Sequence, residues 1–320
     1  MKTTIFTCFF LVLKLSFCFA ADQTLAEKLQ MAKQRPLLVE LPSMDEKYIE
    51  KLNAKGKNEE LIEYTSRYNT FINNYKKAFT GYWTYNKEIS FKTADEMAAI
   101  ISQNTGKYAV IRYQSFTYGS FLRGLKHDPR FSNYLYREDN SSSLISDRKN
   151  FYNYTVLNLY LSEEQDLVLT FRLPVTESEG GIVYSLRQFE FTFDLLEKHP
   201  ERKGAEIYGH NYYQSELNVP KIKTSVVYLR KQDLDKGFKE EKLAKLYKYQ
   251  YKIVSNEEWE SAVLEKKDNV ICAILLPGNE NTLKYYHMFF CASDGKMVTN
   301  VPSNFGFSED DFDLLSKLAK

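Results

Sequence analysis

Histidine and cysteine are equally scarce in this 320-residue chain, with four of each. His127, His199, His210 and His287 lie far apart, and no two fall within one helical turn. A histidine metal centre would therefore need long-range assembly, and no metal site is expected. No glycine-rich nucleotide loop, Gly-x-Ser-x-Gly elbow or His-Glu-x-x-His helix occurs, so neither a catalytic residue nor a cofactor is assigned. Charge of one sign is lacking too. Against 42 acidic residues stand 43 basic ones, and Lys2 and Lys14 lie in the first twenty positions. That balance gives no electrostatic case for nucleic acid or an anionic membrane surface.

Long apolar runs are confined to the start. Met1–Ala20 has Lys2, an apolar stretch from Ile5 to Phe19, and small residues suited to cleavage after Ala20. It reads as a secretory signal peptide and predicts a periplasmic or secreted protein with no transmembrane segment after cleavage. Beyond it remain Cys272 and Cys291, on strands expected at Val270–Leu276 and Tyr285–Ala292. In an oxidising space they could form a cross-strand disulfide; the plainer reading is two small buried side chains.

What the chain has in quantity is aromatic: 24 tyrosines and 22 phenylalanines, with 43% hydrophobic residues overall. That is enough for a sizeable core and for two domains. Ile89–Tyr113 and Tyr251–Leu275 share one pattern 162 positions apart: strand, helix start, short helix, strand. In the first, Thr93-Ala-Asp-Glu96 has the form of a capping box, Met97, Ile100 and Ile101 share a helix face, and Gly106 suits a left-handed C-terminus. In the second, Ser255-Asn-Glu-Glu258 takes the same place, and Trp259, Ala262 and Val263 take the same face. An apolar strand precedes each unit, Leu37–Leu41 and Val226–Leu229. The fold class expected is α+β, with two similar strand–helix–strand domains, matched either by internal duplication or by chance because such units are common. The pattern loosely resembles a thioredoxin-like half; the resemblance comes without the two-cysteine redox motif.

The domains expected are residues 21–200, a linker at 201–220 carrying Gly204, Gly209 and Pro220, and a smaller domain at 221–320. The long helix from Glu59 to Phe79 carries an ordinary core stripe, and Gln232–Leu246 reads as one charged helix. Residues 115–150 are an excursion with no counterpart in the second half, mixing aromatic and basic residues: Tyr118, Phe121, Arg123, His127, Arg130, Tyr134, Tyr136 and Arg137. Long connections in compact domains are often functional, so these residues form the expected binding surface. The function expected is a non-catalytic binding or interaction protein of the cell envelope, whose partner is a protein, peptide or glycan. A hydrolase with its site in the cleft near Tyr208, His210, Tyr212 and Tyr213 is the alternative, and a structural subunit a third.

Overall fold

The computed structural model describes residues 24–116, 143–144, 154–162, 167–174, 178–202, 217–277, 285–303 and 306–320. In chain order these are α1 (Leu25–Gln34), β1 (Leu37–Glu40), β2 (Ser43–Met44), α2 (Glu46–Ala54), α3 (Asn58–Tyr82), β3 (Ile89–Lys92), α4 (Ala94–Gln103) and β4 (Ala109–Phe116). Then follow β5 (Ser143–Leu144), β6 (Tyr154–Leu161), β7 (Leu167–Arg172) and α5 (Glu179–Lys198). The second half has β8 (Val226–Arg230), α6 (Glu240–Leu246), β9 (Tyr251–Val254), α7 (Asn256–Leu264), β10 (Val270–Pro277), β11 (Tyr285–Cys291), β12 (Met297–Ser303) and α8 (Glu309–Leu318). The fold is α+β, with two five-stranded mixed sheets.

Most of the helices begin where a side chain can satisfy free backbone N–H groups; α3 and α6, which follow Lys57 and Lys239, do not. Thr93 and Glu96 form the full capping box of α4, and Gly106 adopts φ 84° after its end. At α7 only half of the expected box is present. The Ser255 hydroxyl accepts from the Glu258 N–H, but the Glu258 carboxylate turns to Lys252. The charged stretch expected as one helix from Gln232 is interrupted: a 3-10 turn covers Lys231–Asp233, and α6 starts only at Glu240. Asp235 and Gly237 form a turn between them, with the Gly237 N–H donating to Asp235 Oδ1 at 2.8 Å.

The sheet orders are β3-β1-β4-β6-β7 and β9-β8-β10-β11-β12. In each, the first strand lies parallel between the second and third, and an antiparallel pair follows. The registers coincide as well. Leu37 faces Ile89 and Ala109; Val227 faces Tyr251 and Ile271. Ile89 to Tyr251 and Ala109 to Ile271 both span 162 positions. Further on, Ala109 faces Leu161 and Ile271 faces Cys291, so the spacing becomes 130. It stays 130 to the end. The register shift after Leu159 recurs after Phe289, and the N-cap Ser178 of α5 matches the N-cap Ser308 of α8.

Alternation of side chains gives each sheet two faces. In the first, Leu37, Val39, Ile111, Tyr113 and Leu159 pack on α1, α3 and α5, while Leu38, Val110 and Tyr160 meet Met97 of α4. In the second, Val227, Leu229, Ala273 and Phe289 pack with Leu243, Phe312 and Leu315 of α6 and α8. Its other face, Tyr228, Cys272 and Phe290 with Trp259 of α7, is not a separate cluster. It joins the core of the first half through α5.

The join is made by named side chains. Tyr184 packs on Phe290 with ring centroids 4.5 Å apart. Arg187 crosses from α5 and donates to the carbonyls of Ala292 (2.8 Å) and Val263 (2.9 Å). Glu260 of α7 accepts from the N–H of Gly180 at 2.9 Å. A β-carbon on Gly180 would stand 3.2 Å from Trp259 Cζ3, so glycine there allows the helices to approach.

Cys272 and Cys291 are free thiols. Cys272 faces Phe290 across the ladder and Ile271 faces Cys291, which puts the two cysteines on opposite faces of the sheet. The cross-strand disulfide is therefore not formed; each sulfur lies buried in a different apolar layer.

Candidate functional site

A sheet whose first strand lies between its second and third has a switch point there, and ligands of open α/β sheets bind outside the carboxyl ends of such strands. Both halves place charge at that point. Glu40 ends β1 and Arg230 ends β8, at equivalent register positions opposite Lys92 and Val254. Both are buried, and they have opposite sign.

At and near Arg230, side chains from five elements assemble around two buried ion pairs. Its Nε lies 2.7 Å and its Nη2 2.6 Å from Asp233 Oδ2, and the guanidinium sits 4.8 Å from the ring centre of Trp259. Trp259 is itself fixed, its Nε1 donating to the Ala273 carbonyl at 3.0 Å. On β11, His287 Nδ1 lies 3.0 Å from Asp311 Oδ1, and its ring packs 4.5 Å from that of Phe307. The other Asp311 oxygen accepts from the N–H and hydroxyl of Ser308, completing the cap of α8. Burial pushes the Asp233 carboxyl above the usual carboxylate range, against the pull of Arg230 and His287.

An aspartate holding an imidazole is the arrangement that orients a general base. Here, however, His287 is 0% exposed and Asp311 3%, so no substrate reaches the ring. One pair ties β8 to the 3-10 turn, and the other ties β11 to the start of α8. Burial also raises the thiols of Cys272 and Cys291, which disfavours the reactive thiolate. Among the described residues no group of histidine, cysteine, aspartate and glutamate is placed to hold a metal ion. No described helix is long and apolar enough to cross a membrane.

In the first half, the equivalent carboxyl ends lead into the long connection. From Phe116 to Tyr154 it is 32 residues longer than its counterpart, the difference between the spacings of 162 and 130. Partway along, Ser143–Leu144 pairs in parallel with Ser43–Met44. The binding residues expected from sequence, Tyr118, Phe121, Arg123, His127, Arg130, Tyr134, Tyr136 and Arg137, lie outside the described residues, as do Tyr208, His210, Tyr212 and Tyr213.

The Arg230–Asp233 and His287–Asp311 pairs were not legible in advance. Arg-x-x-Asp at 230–233 is a weak local signal, and Asp311 reads from sequence only as a helix cap. His287 and Asp311 meet because β11 and the start of α8 converge, which sequence spacing does not express. No protein-family model matches the chain, and neither the curated proteins nor the solved structures contain a match to it.

Proposed function

We propose that this chain is an exported, non-catalytic binding protein of the cell envelope, built from two duplicated halves, of which the first carries the binding determinant. The duplication reading is supported by the coincident strand order, register and bulge position of the two sheets. The order, with three adjacent parallel strands, is that of a doubly wound half closed by an antiparallel hairpin. It supports that description over a thioredoxin-like one.

The observation that carries the binding reading is where the halves differ. The two frames keep one register from β3 to β4 and another from β6 onward. They differ in length at two connections: by 28 residues between β1 and β3 (spacing 190 against 162), where the added helix α3 is core, and by 32 residues at the carboxyl end of β4, beside the switch point. Extra chain joined at that point supports a binding reading, and the aromatic and basic residues in its sequence suit a protein, peptide or glycan surface. The His287–Asp311 pair is sealed from solvent and so offers a hydrolase no accessible general base.

The test is a crosslinking pull-down from native envelope, comparing the intact protein with one whose residues 117–149 are replaced by a short turn of the length found after Pro277. Circular dichroism first establishes that both fold. A partner held by the intact protein and lost by the shortened one supports the reading. Equal capture by both places the determinant elsewhere and overturns it.

A further inference from the structure

The contact between the halves is head to tail: the last helix of the first half, α5, meets the first-repeat helix of the second, α7. The equivalent of α5 at the other end of the chain is α8, and the equivalent of α7 is α4. Matched through their N-caps, Gly180, Tyr184, Arg187 and Gln188 of α5 correspond to Asp310, Leu314, Lys317 and Leu318 of α8. The first three are buried and Gln188 half-buried against the second half, whereas all four counterparts on α8 are exposed. Leu314 and Leu318 are 36% and 43% exposed, two of the large apolar side chains left open to solvent.

We propose that α8 docks on α4 of a second copy of this chain, repeating between molecules the contact that α5 makes with α7 within one. This rests on the equivalence of the two halves stated above. The substitutions between the halves compensate each other. Within the chain, Glu260 meets the N–H of Gly180. Between chains, Asp310 stands in place of Gly180 and Ala98 in place of Glu260, so one carboxylate has moved across the contact and its room has moved with it. Met97 in place of Trp259 relieves the crowding that requires glycine at position 180. Lys317, whose Nζ lies 2.6 Å from Asp313 Oδ2 in the single copy, keeps the positive charge of Arg187 and would meet the carbonyl of Ile101, which replaces Val263. The receiving face is prepared: Ala98 is exposed, and Ile100 and Ile101 are half-buried where Ala262 and Val263 are fully buried.

A contact of this kind uses two different faces, so it does not close on itself in a pair; copies add in a row unless the rotation closes a ring. Sedimentation velocity of the purified protein over a dilution series is therefore expected to show a mass that grows with concentration past the dimer. Leu314→Glu and Ala98→Glu, both at exposed positions, are each expected to weaken association at least tenfold; the second sets two carboxylates face to face. Asp310→Gly combined with Ala98→Glu recreates the internal pair and is expected to restore association. Mixing Leu314→Glu with Ala98→Glu leaves one good face on each partner and should stop at dimers. A one-copy mass through the millimolar range overturns the proposal, as does association that none of these variants changes. The envelope pull-down is read separately, because shortening residues 117–149 leaves α8 and α4 intact.

Discussion

Gly295 lies directly beneath Arg187: a β-carbon at position 295 would stand 2.9 Å from Cδ of Arg187, and the backbone there has φ 74°. The turn after β11 thus brings bare backbone to the arginine that bridges the halves, and the Gly295 carbonyl accepts from Gln188 at 3.1 Å. The guanidinium cannot swing aside freely, because two carbonyls hold it. Gly295→Ala is expected to cost about 2 kcal/mol, from left-handed backbone strain and overpacking together. Urea unfolding of both proteins measures this, and a change below a few tenths of a kcal/mol would contradict it.

Arg230 and Asp233 are expected to behave as a buried pair. Arg230→Met leaves a carboxylate sealed without its cation, at a cost of about 3–5 kcal/mol. Arg230→Met with Asp233→Leu removes both charges and should recover most of that loss. A double variant no more stable than Arg230→Met alone would show that the pair does not act as a unit. A double-mutant cycle by denaturant titration gives the coupling directly.

Both thiols should be silent in the folded protein. Maleimide labelling followed by peptide mass spectrometry is expected to modify Cys272 and Cys291 only after unfolding, and without prior reduction. Protection of both peptides in unreduced, unfolded protein would mean a disulfide, and the opposite-face placement would then be wrong.

The α4 cap makes a small pH-dependent contribution. Glu96 accepts from the N–H and hydroxyl of Thr93, and these bonds hold its carboxyl below the usual range. A depressed acid stabilises the fold above its unfolded value and loses that contribution as pH falls through its folded value. Glu96→Gln should therefore flatten the fall in stability on acidification below about pH 4.3. Parallel thermal melts across that range, with identical slopes for both proteins, would refute the assignment.

Much of the fold could be read in advance because local rules govern it. Thr93-x-x-Glu96 announces the start of α4, and the alternation of Tyr154–Leu161 announces β6. The continuous apolar run Val270–Leu276 announces a strand covered on both faces, as β10 is. The aromatic stripe of α3 is core: Phe71, Tyr75 and Phe79 pack on one another and on Tyr113. Where the reading failed, a competing local bond had won, as when Lys252 drew Glu258 away from the α7 cap.

The amino-acid sequence by itself determined the elements and the likeness of the two repeated units, because periodicity and helix caps act over a few residues. The tertiary structure decided what those elements do to one another. It set the two cysteines on opposite faces, since strand register alternates side chains and a one-residue offset is enough to separate them. It sealed His287 against Asp311, and it joined one face of the second sheet to the core of the first half through α5. Those outcomes depend on contacts between segments dozens of residues apart, which local pattern does not encode.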